Sequence, residues 1–429
     1  MAGEATVETA GSRPRLRLVR PDELPPAVQR ARLERNVRRS LSVLAVTVAA
    51  LTVFGLVMVL SASSITAYTQ YGSSFVFFKR QAIFAIAGAL AAVVAARIDY
   101  HVWQRLWFPL AGVTVLLLAM VLVPSTGVSI AGSSRWIPLG PFSLQPSELA
   151  KFVVVAAGAA ILTRNHRLVG EPLRMSALLL MLLGGMVGLV MLQPDLGTAM
   201  IITGAVFVLL FVSGISLRWL AGAATLVLAG GAGLILSASY RRTRFLAFLH
   251  PWSDPHNTGY QTIQGLLALG SGHWFGVGLG ASRAAWGYVP NAFTDFIYAI
   301  IGEELGLIGA VALLAIFAAM VWAGIRIAIK APDTYGRLLA AGIIGWLGLQ
   351  AIINMGTVVG VLPITGVPLP FVSYGGSSLI VSLASVGVLW SIGRSTLAKL
   401  TRGQRAARGK GPGRPGRAAP VTAAARPGP

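Results

Sequence analysis

The chain has no cysteine among its 429 residues, which excludes a disulfide framework, a thiolate metal site and a thiol nucleophile. Its redox compartment cannot be inferred from thiols either. Charge is nearly as scarce: 11% of residues are charged, only 14 are acidic, and 5 are His. No His-rich stretch offers a metal site. What fills the chain instead is apolar surface, 55% by composition, far more than an average soluble domain carries. The sequence therefore predicts a polytopic membrane protein.

Taking apolar runs of about 17 to 25 residues as spans, candidates lie near 41–62, 80–97, 106–123, 147–163, 174–192, 197–213, 217–237, 298–322, 338–358 and 373–393. The expected fold class is an all-α polytopic membrane protein of about ten transmembrane helices, with a large extracytoplasmic loop between helices 7 and 8. The first forty residues are too polar and Arg-rich for a cleaved signal peptide, so the first run is expected to act as an uncleaved anchor. With the N-terminus inside, 27 of the 35 basic residues fall on the cytoplasmic side. The positive-inside rule thus favours both termini in the cytoplasm, chiefly through the tails.

The net charge of +21 sits in those tails and in short loops, without the aromatic-interleaved basic groove of a nucleic-acid binder. It reads as topology and contact with anionic lipid, and nucleic acid is not an expected partner. Residues 1–40 and 396–429, the latter rich in Arg, Pro and Gly, are expected to be disordered cytoplasmic tails flanking a membrane domain over 41–395. Within that domain, 238–297 is the longest stretch expected to lack helix, and its Trp, Tyr and Gly content argues against simple disorder.

Topology narrows the chemistry, because only Glu148, Asp195, Asp254, Asp295, Glu303 and Glu304 lie on or near the outer half. An ionisable group held there is costly and is by default a functional hypothesis. Asp295 is the expected catalytic group; the plain alternative is a helix N-cap. Glu303 and Glu304, two to three turns on, serve equally well as structural hydrogen-bonding groups. Ser147 reads as an N-cap, with Glu148 and Lys151 one turn apart as an internal ion pair or a functional one. Asp195, in Gln193-Pro194-Asp195-Leu196-Gly197, sits either in a plain turn or at a helix break facing a wet cavity. The run from Leu362 to Ser378 approaches the last helix through three prolines and a Ser373-Tyr374-Gly375-Gly376-Ser377 hinge whose amides could cradle an anion.

Taken in order, these blocks resemble the SEDS family (shape, elongation, division and sporulation). The resemblance spans 41–395. It rests on Arg135-Trp136-Ile137 running to Gln145-Pro146-Ser147-Glu148-Leu149-Ala150-Lys151, on Gln193 to Thr198, on Arg241-Arg242-Thr243-Arg244 through Asp254-Pro255 to Gly259-Tyr260-Gln261, on Asp295-Phe296-Ile297 with Gly302-Glu303-Glu304-Leu305-Gly306, and on Pro368 to Ser378. The stretch from Gly55 to Ser63 in the first span, and Lys79-Arg80-Gln81 where the next span opens, resemble the division branch more than the elongation branch.

The resemblance implies glycosyl transfer at the outer membrane face during septal wall synthesis, joining lipid II units into glycan strands, with Asp295 at the family's catalytic aspartate. Making a β-1,4 link from an α-linked undecaprenyl-pyrophosphate donor inverts the anomeric carbon, which suits one displacement and one general base. The leaving pyrophosphate needs positive charge, for which Arg135, Lys151, Arg242, Arg244 and an oxygen-ligated Mg²⁺ or Mn²⁺ are candidates, with Gln261, Ser373, Gly375, Gly376 and Ser377 as polar neighbours. The family commonly has His two residues before the aspartate and a basic residue a few positions before the Tyr288-Val289-Pro290 equivalent; here they are Phe293 and Ala285, with Arg283 nearby. A class B penicillin-binding transpeptidase and divisome activators are the implied partners. A lipid II flippase and a non-catalytic divisome scaffold remain the other readings.

Overall fold

The computed structural model describes residues 26–123, 128–130, 133–140, 142–164, 172–237 and 239–409. Its helices are α1 (Pro26–Tyr71), α2 (Val76–Arg97), α3 (His101–Leu122), α4 (Pro146–Arg164), α5 (Pro172–Leu192), α6 (Leu196–Ser213), α7 (Leu217–Ser237), α8 (Ser239–Leu249), α9 (Tyr260–Ser271), α10 (Ile297–Ile329), α11 (Thr334–Val358) and α12 (Gly376–Gly409). Among the described residues nine helices are long and apolar enough to cross a membrane. Helix α5 covers the remaining expected span, so all ten apolar runs are helical and in the expected order.

Two expectations about the ends fail. Helix α1 begins at Pro26 and α12 runs to Gly409, so 26–40 and 396–409 are helical, not disordered. The cause is continuity: once a span is nucleated, each added residue gains a backbone hydrogen bond without a second nucleation penalty. Residues 1–25 and 410–429, expected to be disordered, lie outside the described residues.

Helix α4 forms the centre. From Pro146 to Leu162 only Leu149 is partly exposed, as suits a helix apolar all round except for one ion pair. Around it pack α3, α6, α11 and α12; α2 lies along α12, and α1 along α10. Helix α7 stands at the periphery, against α6 and α8. Between α3 and α4 a small antiparallel sheet of β1 (Val128–Ile130), β2 (Ser133–Leu139) and β3 (Phe142–Leu144) pairs Ile130 with Ser133 and Ile137 with Leu144.

The expected non-helical stretch 238–297 instead contains α8, α9 and two short 3₁₀ turns. It also repairs a break in α10. Gly306, at φ 68° and ψ −169°, leaves helical geometry. The freed carbonyls of Glu303 and Glu304 accept from Val277 and Gly278 N–H at 2.9 and 3.0 Å, and Leu307 and Ile308 N–H donate to His273 and Trp274 carbonyls at 2.9 and 3.2 Å. A broken backbone at membrane depth is tolerated where protein satisfies it, and the 273–278 segment is that protein.

Candidate functional site

Because successive spans alternate in direction, one end of the bundle gathers 133–145, 193–197, the 238–297 segment and the 359–375 connection between α11 and α12. Asp295 lies there, two residues before α10. It is half-buried, and its carboxylate accepts from the Thr294 hydroxyl at 3.0 Å. The N-cap of α10 is Phe296, whose side chain makes no capping bond, so Asp295 is not the cap residue.

The 363–377 segment is the hub that the sequence blocks reach. A Cβ on Gly366 would stand 3.9 Å from Asp295 Oδ2, and at φ 68° the glycine takes a conformation open mainly to glycine. The absent side chain keeps space beside the carboxylate. Asn354 on α11, 1% exposed, donates through Nδ2 to the main-chain oxygens of Asp295 and Val367, at 2.7 and 2.8 Å. One turn earlier, Gln350 donates to Pro368 O at 2.9 Å. Helix α6 abuts the same loop: a Cβ on Gly197 would come within 2.6 Å of Thr365 O. Tyr374 N–H donates to Phe293 O at 2.9 Å, and the rings of Phe77, Phe293 and Tyr374 cluster with centroids 4.8–5.7 Å apart. Phe293, where the resembled family has His, is thus an aromatic wall next to Asp295.

Lys151 and Glu148 form a buried ion pair at 2.7 Å, with side chains 1% and 2% exposed. Lys151 Nζ also donates to Gln350 Oε1 at 2.7 Å. Ser147, expected as N-cap, lies inside α4 with its hydroxyl buried and unpartnered among the described residues; Pro146 takes the first helical position, where its missing N–H costs nothing. Asp195 does cap α6, accepting from Thr198 N–H at 3.1 Å and Thr198 Oγ1 at 2.9 Å. Arg135 stands 3.9 Å from Asp195 and donates to the carbonyls of Gln193 and Pro194. Arg135 and Lys151 thus both hold partners within the fold.

Part of the hinge is already paired within the fold. Gly375 N–H is taken by Gln81 Oε1 at 3.3 Å, Ser373 N–H by Leu369 O at 3.0 Å, and Ser373 Oγ accepts from Leu369 N–H at 2.8 Å. Ser377 Oγ accepts from Gln145 N–H at 3.2 Å and donates to Ser143 O at 3.1 Å, pinning Gly376 and the start of α12 to β3. Gln261 donates to Pro290 O at 3.4 Å, on the approach to Asp295. Glu303 accepts from Ser282 Oγ and from Arg283 and Ala284 N–H, the latter two at 3.0 and 3.2 Å, while Glu304 accepts from Ser61 of α1. The glutamates tie the 282–284 turn and α1 to α10, and none of these bonds runs to Asp295. Arg242 is exposed on α8; the side chain of Arg244 lies outside the described ones.

Two groups are not marked as site residues by the sequence. Asn354 and Gln350 are neutral amides inside an apolar helix and carry no charge. Arg80, exposed on α2, hydrogen-bonds the Tyr374 hydroxyl, whose pKa burial raises against that help. Farther out, Asp254 is held below the usual carboxylate range by the Thr258 N–H and the Asn257 amide. Among the described residues no three His, Asp or Glu side chains converge to hold a metal.

Residues 41–397 match the FtsW/RodA/SpoVE family of cell cycle proteins. A probable peptidoglycan glycosyltransferase FtsW of Geobacter metallireducens is 44% identical over 343 residues, 80% of this chain and 92% of the relative. Stage V sporulation protein E of Bacillus subtilis is 42% identical over 349 residues, 81% and 95% of the two chains. Among solved structures, a chain from a peptidoglycan synthase complex aligns with TM-score 0.68 at 33% identity, covering 82% of this chain and 97% of its own. The rod shape determining protein RodA of Thermus thermophilus aligns with TM-score 0.59 at 30% identity, covering 82% and 96%. By sequence and by fold alike, the chain belongs to the SEDS family, the FtsW/RodA/SpoVE cell cycle proteins.

Proposed function

We propose that this protein is a peptidoglycan glycosyltransferase that polymerises lipid II into glycan strands at the outer face of the cytoplasmic membrane, with Asp295 as general base. The observation that carries the reading is Asp295 itself: a half-buried carboxylate held by its main chain through Asn354, with the side-chain-free Gly366 beside it. The acceptor sugar hydroxyl gives its proton to Asp295 as its oxygen attacks the donor's anomeric carbon, and undecaprenyl pyrophosphate leaves from the opposite side. One displacement inverts the centre and requires one base. A Mg²⁺ or Mn²⁺ ion would arrive with the pyrophosphate, since such hard cations are held largely by phosphate oxygens and water. The proposed orientation places both termini in the cytoplasm. The relatives named FtsW favour septal over elongation synthesis, and a relative solved within a peptidoglycan synthase complex supports a class B penicillin-binding transpeptidase as partner, with divisome activators alongside.

A flippase would need polar groups along both halves of a path, and a scaffold would not need the Asp295 carboxylate. The deciding experiment follows strand formation from labelled lipid II by the full chain with its transpeptidase. Asp295→Asn is expected to lower the rate by roughly 10²- to 10⁴-fold. A wild-type rate in Asp295→Asn would remove Asp295 as the base, and absence of strands from the wild type itself would transfer the protein to the scaffold or carrier class.

A further inference from the structure

We propose that Gln350 and Asn354, one turn apart on α11, are positioning residues that set Asp295 against the 366–368 loop and couple that geometry to the buried Glu148–Lys151 pair. The proposal rests on reading Asp295 as the base. Asn354 spends its amide nitrogen on two main-chain oxygens, Asp295 O and Val367 O, and so fixes the approach of two segments that are not neighbours in the chain. Its own oxygen, buried, has no partner among the described residues; the residue is held for its donors. Gln350, fully buried, continues the line: Nε2 donates to Pro368 O, and Oε1 accepts from Lys151 Nζ at 2.7 Å and Trp346 Nε1 at 3.3 Å. A charged donor on the oxygen of an amide strengthens what its nitrogen donates, because hydrogen bonds in a chain polarise one another. The Lys151 ammonium therefore tightens the loop's hold, and the loop faces the Asp295 carboxylate. Neither amide touches substrate; both act through Asp295.

The test compares kcat and KM for lipid II in the full chain, with thermal unfolding as control. Gln350→Glu keeps the shape and an acceptor for Lys151 but loses the N–H to Pro368 O; Asn354→Leu keeps volume and loses both donors. Gln350→Glu is expected to fold with a lowered unfolding temperature, because it buries a second carboxylate beside Lys151, and to show KM unchanged and kcat down on the order of 10²-fold, the usual consequence of misplacing a catalytic group by about 1 Å. Asn354→Leu is expected to lose kcat similarly; should it not fold, Gln350→Glu decides alone. Wild-type kcat in Gln350→Glu, or a loss borne by KM, overturns the proposal. Asp295→Asn in the same assay separates the two failures: if it stays active the base reading falls, and if it is inactive while Gln350→Glu is normal only the positioning role falls.

Discussion

Lys151 is an ammonium almost without water, held by Glu148, Gln350 and the Trp346 ring at 5.9 Å. Removing one partner of such a pair leaves a bare buried charge, at about 3–5 kcal/mol, whereas replacing both by apolar groups is often neutral or stabilising. Glu148→Gln should therefore lower the unfolding temperature in detergent markedly, and Glu148→Leu with Lys151→Met should restore much of it. The double variant is also expected to remain a poor polymerase, because Gln350 loses the charge that polarises it. Recovery of stability without recovery of strand synthesis is the signature to measure; full recovery of both would leave the pair a structural filler. Asp295 could be found in the sequence because a carboxylate in an apolar run is conspicuous. Asn354 could not, since its bond to Asp295 spans 59 positions and a neutral amide in a helix has no periodicity of its own.

At the scale of elements, the ten helices were legible because each is an apolar run long enough to cross a bilayer. The break in α10 was not: Ile300 to Leu307 reads as continuous helix, and only the pairing with 273–278 reveals the interruption. The partners of the Ser373 to Ser377 hinge were illegible for a related reason, since its polar groups pair with Gln81, Leu369, Gln145 and Ser143, all but Leu369 distant in sequence. Gly306 tests the break directly. Its backbone lies in a region essentially reserved for glycine, where another residue costs about 1–3 kcal/mol. A Cβ there would also stand 2.4 Å from Gly276 N and 2.5 Å from Trp274 O, backbone atoms with little room to yield. Gly306→Ala should detach the 273–278 segment and expose the Glu303 and Glu304 carbonyls. Protease cleavage between α9 and α10 should rise several-fold. Gly270→Ala is the milder control, because in α9 the added methyl meets nothing within 4 Å. Equal cleavage in both variants would mean the pairing does not guard the break.

For the whole molecule, charge and apolar length together predict which end faces which compartment, and the site chemistry depends on that orientation. Lipid-linked substrate can reach Asp295 from outside the cell only if the 238–297 segment is extracytoplasmic and the extended ends of α1 and α12 are cytoplasmic. Basic residues concentrated at the termini favour this arrangement, since cytoplasmic segments carry the Lys and Arg excess. The absence of native cysteine makes the test clean, because any label must sit on an introduced thiol. Ser253→Cys, exposed in the loop between α8 and α9, should react with a membrane-impermeant maleimide in intact cells. Arg402→Cys, exposed near the end of α12, should react only after the membrane is opened. The reverse pattern would place Asp295 in the cytoplasm, where it could not extend a glycan strand outside, and would leave lipid II synthesis or transport as the chemistry to examine.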